Sequence, residues 1–281
     1  MKRIITIQDI SCVGKCSLTV ALPVISAMGV EASVIPTAVL SCHTAFPDFT
    51  FHDLTDEIQP VSQMLRSQGL TFDAIHTGYL GSVRQINLME QLFKDFKTDS
   101  NIVIVDPAMA DYGKLYKGFT QSFADRMAQL CGQADVIVPN LTEACYMLKI
   151  PYIGENYTKQ DIQNILTGLS DLGCDYCVLT GISFDDSKLG AMAYDKKTGQ
   201  FFECYSKKFP KSFHGTGDIF ASTFTGALMQ NNVTKEDALQ IAVDFTADCI
   251  EATLKNNDYN WYGVDFETAI PKLIERIKKY K

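Results

Sequence analysis

The run His214-Gly215-Thr216-Gly217-Asp218, followed by the apolar stretch 219–224, holds the residue types that phosphoryl transfer needs. Two glycines beside a helix start let backbone N–H groups converge with no Cβ in the way, and the helix end adds partial positive charge. Together they make an anion hole for a phosphate whose charge builds during transfer. Asp218, in the first turn, is placed to take a proton from an alcohol, although a carboxylate there also suits the helix dipole alone. A second polar set follows short apolar runs: Asp106 after 102–105, Asn140 and Glu143 after 136–138, Thr180 with Gly181 after 177–179. Asp, Asn and Glu supply the oxygen ligands that suit Mg²⁺. Asn140 and Glu143 equally have capping-box spacing.

For these residues to meet, the apolar runs must be neighbouring strands. Runs at 4–7, 33–39, 74–77, 102–105, 136–138 and 177–180 alternate with segments of helical period at 54–70, 85–96, 119–130 and 159–172, the pattern of parallel strands with crossover helices. The strands are apolar throughout, as in a sheet covered on both faces. This predicts an α/β fold, a three-layer α/β/α sandwich. Residues 189–194 and 201–205, joined by a polar turn, predict an antiparallel hairpin at one edge, and helices follow at 217–229, 235–254 and 266–279. In such sheets ligands bind outside the carboxyl ends of the strands, which is where the polar set falls. No repeat or linker interrupts the pattern, so residues 1–281 are expected to form a single domain.

Charge and cysteine usage narrow the partners. Lys and Arg total 25 against 33 Asp and Glu, a net charge of -8, the wrong sign for a nucleic-acid binder. The nine cysteines are odd in number and scattered, as in a reducing compartment. The apolar run 4–7 is too short for a signal peptide, and no stretch approaches the ~18 apolar residues of a membrane span. A cytoplasmic protein with no membrane partner is expected.

Pro139-Asn140-Leu141-Thr142-Glu143-Ala144 and Gly215-Thr216-Gly217-Asp218 resemble the nucleotide and catalytic motifs of the ribokinase-like superfamily of small-molecule kinases. The chain is most similar to its pyridoxal/pyridoxamine kinases: Ile7-Gln8, Ser41-Cys42-His43-Thr44, Thr77-Gly78-Tyr79-Leu80-Gly81-Ser82 and Asp106-Pro107-Ala108-Met109 stand in that family's order and approximate spacing. The resemblance implies ATP-dependent phosphorylation of the 5′-hydroxymethyl group of a vitamin B6 vitamer, in a homodimer. It implies Asp218 as base and the backbone of Gly215, Thr216 and Gly217 as anion hole. Asp106 and Glu143 would handle Mg²⁺ and its waters; Asn140, Thr180 and Thr216 would lie near the ATP phosphates. Asp9, His43, Thr44 and Tyr79 would surround the pyridine ring, with Tyr79 able to stack on it. Whether a monovalent cation is also needed stays open.

The chain departs from that family at Asp9, where Ser is usual, at Cys42, where Asn is usual, and at Leu40, where Phe or a similar group is usual. Asp9 would favour a cationic substrate such as pyridoxamine; otherwise it caps the turn into the first helix. Hydroxymethylpyrimidine kinases of thiamin synthesis share the fold and chemistry, but their glycine-rich N-terminal segment is missing here. A catalytically silent ligand-binding protein is the rival outside enzymes, and the intact Gly-Thr-Gly-Asp run argues against it. Gly14-Lys15-Cys16-Ser17 falls short of a Walker A loop, because the first Gly and the Ser or Thr after Lys are absent; these residues are expected to lead into the first helix. Cys174 and Cys177 lack a second ligand pair for zinc, and His52 and His76 stand alone.

Overall fold

Rich in Ile and Val and too short for helices, the apolar runs pair as strands. In the computed structural model, which describes residues 1–280, they build a nine-stranded sheet. Chain order runs β1 (Arg3–Ser11), α1 (Leu18–Ala27), β2 (Glu31–Leu40), β3 (Phe51–Asp53), α2 (Thr55–Ser67), β4 (Ala74–Thr77), α3 (Val83–Phe96) and β5 (Ile102–Val105). It continues through β6 (Ala110–Asp111), β7 (Lys114–Leu115), α4 (Gln121–Cys131), β8 (Val136–Ile137), α5 (Leu141–Leu148) and α6 (Lys159–Asp171). Last come β9 (Tyr176–Asp185), β10 (Lys188–Asp195), β11 (Gln200–Lys207), α7 (Thr216–Leu228), α8 (Lys235–Lys255) and α9 (Phe266–Lys278).

The sheet order is β11-β10-β9-β8-β5-β4-β1-β2-β3. From β9 across to β2 every pairing is parallel, and β10 and β11 add the predicted antiparallel hairpin. The opposite edge also ends antiparallel: β3 pairs with Ala38–Leu40 of β2. Its three exposed residues carry no periodicity that a sequence reading could use. The β6–β7 hairpin, a separate two-stranded piece, escapes for the same reason.

Alternate strand residues face opposite layers. Ile5, Ile7, Val103 and Val105 pack under α2 to α6, while Ile104, Val136 and Val178 pack under α1, α7, α8 and α9. Helix starts are fixed by side chains: Ser82 accepts from Gln85 N–H at 3.2 Å, and Thr158 and Thr234 form capping boxes with Asp161 and Asp237. Strand β1 has its successor β2 on one side and β4 on the other, so the connections diverge at its carboxyl end and leave a crevice there. Among the described residues no helix is long and apolar enough to cross a membrane.

Candidate active site

The crevice floor is built from the ends of the parallel strands and the start of α7. Gly215, at φ 80°, is the N-cap of α7 and adopts a conformation that favours glycine. Its missing side chain is also needed for packing, since a Cβ would stand 2.2 Å from the Lys15 carbonyl oxygen. At Gly217 a Cβ would meet nothing within 4 Å, so this residue faces open space and leaves its turn accessible to a ligand. Thr216 turns its hydroxyl back to donate to the Phe213 carbonyl at 3.1 Å, which braces the turn. What the three residues present to the crevice is backbone at a helix N-terminus, suited to phosphate.

Asp218 follows in the first turn of α7, deep among protein atoms yet in contact with solvent. Burial, reinforced by the charge of Asp9, pushes its pKa up to about 7; the Ser17 N–H, which faces the carboxylate, pulls the other way. A carboxyl group so poised exchanges protons near neutrality.

Asp106 follows β5, with its N–H on the Thr77 carbonyl at 2.9 Å. Burial and the facing Asp218 raise its pKa well above the ordinary value; burial and Asp106 do the same to Glu143. Asp106 is thus near enough to Asp218 and to Glu143 for charge repulsion with each. A cation would relieve their repulsion, so the donor set fits Mg²⁺. The fit is unequal. Glu143 accepts from Asn140 N–H at 2.8 Å and Met109 N–H at 3.1 Å, while the Asn140 side chain accepts from Glu143 N–H at 2.9 Å. This is the capping box of α5, so Glu143 supplies charge with both oxygens already engaged, and Asp106 is the freer ligand. Among the described residues no three ligating side chains converge, so substrate phosphates and water would have to complete an octahedral shell. Asn140, just past β8, and Thr180 lie side by side as a parallel bridge, and the Asn140 amide donates to the Ala110 carbonyl at 2.8 Å; Thr180 was expected to end its strand, but β9 runs on to Asp185 by pairing with β10.

On the other side of Asp218 lie residues expected around a ring. Asp9 lies within β1, buried at 4% exposure, and accepts from the hydroxyls of Ser11, at 3.0 Å, and Ser17. It precedes α1 by too far to donate a conventional cap; Ser17 is the N-cap residue. Burial raises its pKa. His43 is pushed down to about 4 by burial and by His214, whose ring lies 4.9 Å away. Its Nδ1 accepts from Ala45 N–H at 3.1 Å, so the neutral ring carries its proton on Nε2 and presents a donor. Thr44 beside it is exposed. Tyr79 is half-buried near Asp9 and Asp53, its hydroxyl raised to about 12 chiefly by burial, and one face stacks on Phe119 at 5.8 Å.

Three residues outside the predicted set also reach the site. Tyr116 and Asp111, on or beside the β6–β7 hairpin, face the acidic cluster and His214. Ser17 faces both Asp9 and Asp218. The hairpin had one signal in Gly113, which with Tyr112 takes positive φ in a two-residue turn. His76, by contrast, is fully enclosed beneath the sheet against Gln8 and takes no part.

Strand order, helix N-terminus and acidic cluster together define a ribokinase-like small-molecule kinase. Within that class the chain belongs to the phosphomethylpyrimidine kinase family, whose model matches residues 20–262. A Bacteroides thetaiotaomicron protein, provisionally named a phosphomethylpyrimidine kinase and solved with pyridoxal, is 37% identical, with TM-score 0.91 over 97% of this chain and 95% of its own. Pyridoxal kinase from Lactobacillus plantarum superposes with TM-score 0.89 at 28% identity, covering 100% of this chain and 99% of its own. Dictyostelium discoideum pyridoxal kinase is 26% identical over 240 residues, 80% of this chain and 77% of that protein.

Proposed function

We propose that the protein transfers the γ-phosphoryl group of ATP to the 5′-hydroxymethyl group of pyridoxal or pyridoxamine. The observation that carries this is Asp218, poised near neutrality one residue from an open glycine at a helix N-terminus. Asp218 takes the hydroxyl proton, the substrate oxygen forms its bond to the γ-phosphorus, and the bond to the β-γ bridging oxygen breaks to release ADP. The backbone of residues 215–217 stabilises the charge on the phosphoryl oxygens, and Asn140 and Thr180 line the phosphate path. Asp106, and Glu143 through water, would hold Mg²⁺, which would supply neutralisation of the phosphate charge.

Pyridoxal in the 37% identical relative and the pyridoxal kinase names of the others support a B6 vitamer over hydroxymethylpyrimidine. Asp9 favours a vitamer with a positive charge, and the His43 Nε2 proton suits an acceptor on the ring. Nine free cysteines accord with a reducing cytoplasm. Homodimer formation remains part of this reading, checked by sedimentation. The deciding experiment compares pyridoxal, pyridoxamine, pyridoxine, hydroxymethylpyrimidine and ribose as acceptors with ATP and Mg²⁺. B6 vitamers should lead by kcat/KM; a lead for hydroxymethylpyrimidine overturns the substrate, and no ATP consumption with any acceptor overturns the enzyme.

A further inference from the structure

The turn between β1 and α1 takes two left-handed residues that are not glycine, Lys15 at φ 49° and Ser17 at φ 50°. L-residues avoid that region, so the surroundings must impose it. Those surroundings converge on Lys15. Its Nζ donates to Asp265 at 2.9 Å and Glu267 at 3.0 Å, with the Lys15 side chain only 17% and that of Asp265 only 12% exposed. Asp265 is itself fixed, accepting from the Asn256 amide at 2.8 Å and donating its N–H to Thr253 Oγ1 at 2.7 Å. Gly263 lies so close that a Cβ there would come within 2.6 Å of Lys15 Cβ. The ammonium group is therefore committed to two carboxylates at the start of α9, and its role is not that of a phosphate-binding lysine.

The same turn meets the catalytic end of α7 twice. The Lys15 carbonyl sits under Gly215, and the Ser17 N–H faces the Asp218 carboxylate. We propose that Lys15 is a positioning residue: clamped by Asp265 and Glu267, it holds the 14–17 turn in its left-handed course, so that Ser17 aims Asp218 and Gly215 keeps the anion hole in register. This rests on the reading of Asp218 as the base. A partly shielded ion pair is screened less by solvent than a surface one, so the clamp is a fixed link from α9 to the reacting centre.

The test measures kcat, KM for ATP and for pyridoxal, and melting temperature on the purified full chain. Lys15→Met should lower kcat by about 10- to 100-fold, the cost of a small misplacement of a catalytic group, with KM for ATP nearly unchanged. Lys15→Arg, which keeps the charge, should restore most of it. Asp265→Asn should reproduce the loss, and the double variant Lys15→Met with Asp265→Asn should be no worse than either alone. Wild-type kcat in folded Lys15→Met, or losses that multiply in the double variant, overturns the proposal. If Lys15→Met does not fold, Glu267→Gln at the exposed end of the clamp decides: lowered kcat at an unchanged melting temperature supports it, and unchanged kcat overturns it. Asp218→Asn run in parallel separates the two readings, because near-normal turnover there removes the base itself, whereas lost turnover there with normal Lys15→Met removes only the positioning role.

Discussion

With its pKa pushed up to about 7, Asp218 exists in both protonation states at neutral pH, and only the ionised one accepts a proton. The acid limb of kcat/KM, which reports the free enzyme, should therefore bend near that value. Asp218→Asn should lower kcat by roughly 10²–10⁴-fold, the range of general base catalysis. The same substitution removes a charge that burial and Asp9 both oppose, so at pH 8 the ligand-free variant should melt higher than wild type. That gain should shrink as pH falls from 7 towards 4, where the wild-type group becomes neutral. Near-normal turnover would leave Asp218 as a partner of the helix dipole alone. At Asp9 the expected effect is on choice: Asp9→Ser should cut the pyridoxamine-to-pyridoxal ratio of kcat/KM by about tenfold, or ~1.4 kcal/mol. Equal ratios in the two proteins would take Asp9 out of the substrate site. Positions of the acidic residues were legible in the sequence because side-chain chemistry has a residue-type signature. Ser17 was not, since part of its contribution comes from a backbone N–H that any residue carries, aimed by a turn that no local pattern encodes.

At the scale of an element, α5 separates two carboxylates to which the resemblance gave one metal role, and it forms the capping box that the Asn140 and Glu143 spacing allowed. Glu143 caps the helix and Asp106 does not, so their amide variants should diverge. Asp106→Asn should raise the Mg²⁺ concentration needed for half-maximal activity and, without Mg²⁺, leave stability equal or higher, because it relieves the repulsion among buried acids. Glu143→Gln must set an amide NH₂ against the N–H of Asn140 or Met109, leaving a buried donor unmet at a cost of about 1–3 kcal/mol. Its melting temperature should fall. Thermal scans with and without Mg²⁺ check both, and a Glu143→Gln protein of wild-type stability would refute the cap's importance. The long helices and the parallel strands were readable from period and β-branching. α5 is short and almost wholly buried, so it offers little polar face for a period to show, and β3 is held by pairing with β2 with no apolar face of its own.

Across the whole molecule, the raised pKa values of Asp9, Asp106, Glu143 and Asp218 contribute one part of the pH dependence of stability. Groups whose folded pKa is raised stabilise fully below their unfolded values, near pH 4, and lose that contribution as pH rises through the folded ones, to about 7 for Asp218. Asp53, Asp73, Asp195 and Asp265 are shifted down, so their contribution holds above the ordinary carboxylate range and fails only in stronger acid. His43 and His76, each pushed down to about 4 chiefly by burial, run the other way and lose their contribution as pH falls below about 6.5, so the carboxylate effect is read as a difference: wild type should lose melting temperature relative to Asp218→Asn as pH rises from 4 towards 8. A difference between the two proteins that stays constant from pH 4 to pH 8 would contradict the assignment. A different consequence follows from the β3 edge of the sheet. The outermost strand there has three residues, all exposed, and the neighbouring length of β2 carries Pro36, which has no N–H to offer. This rim is a poor template for an incoming strand, so a crowded or partly opened population of these chains should resist growing into fibrils from that side.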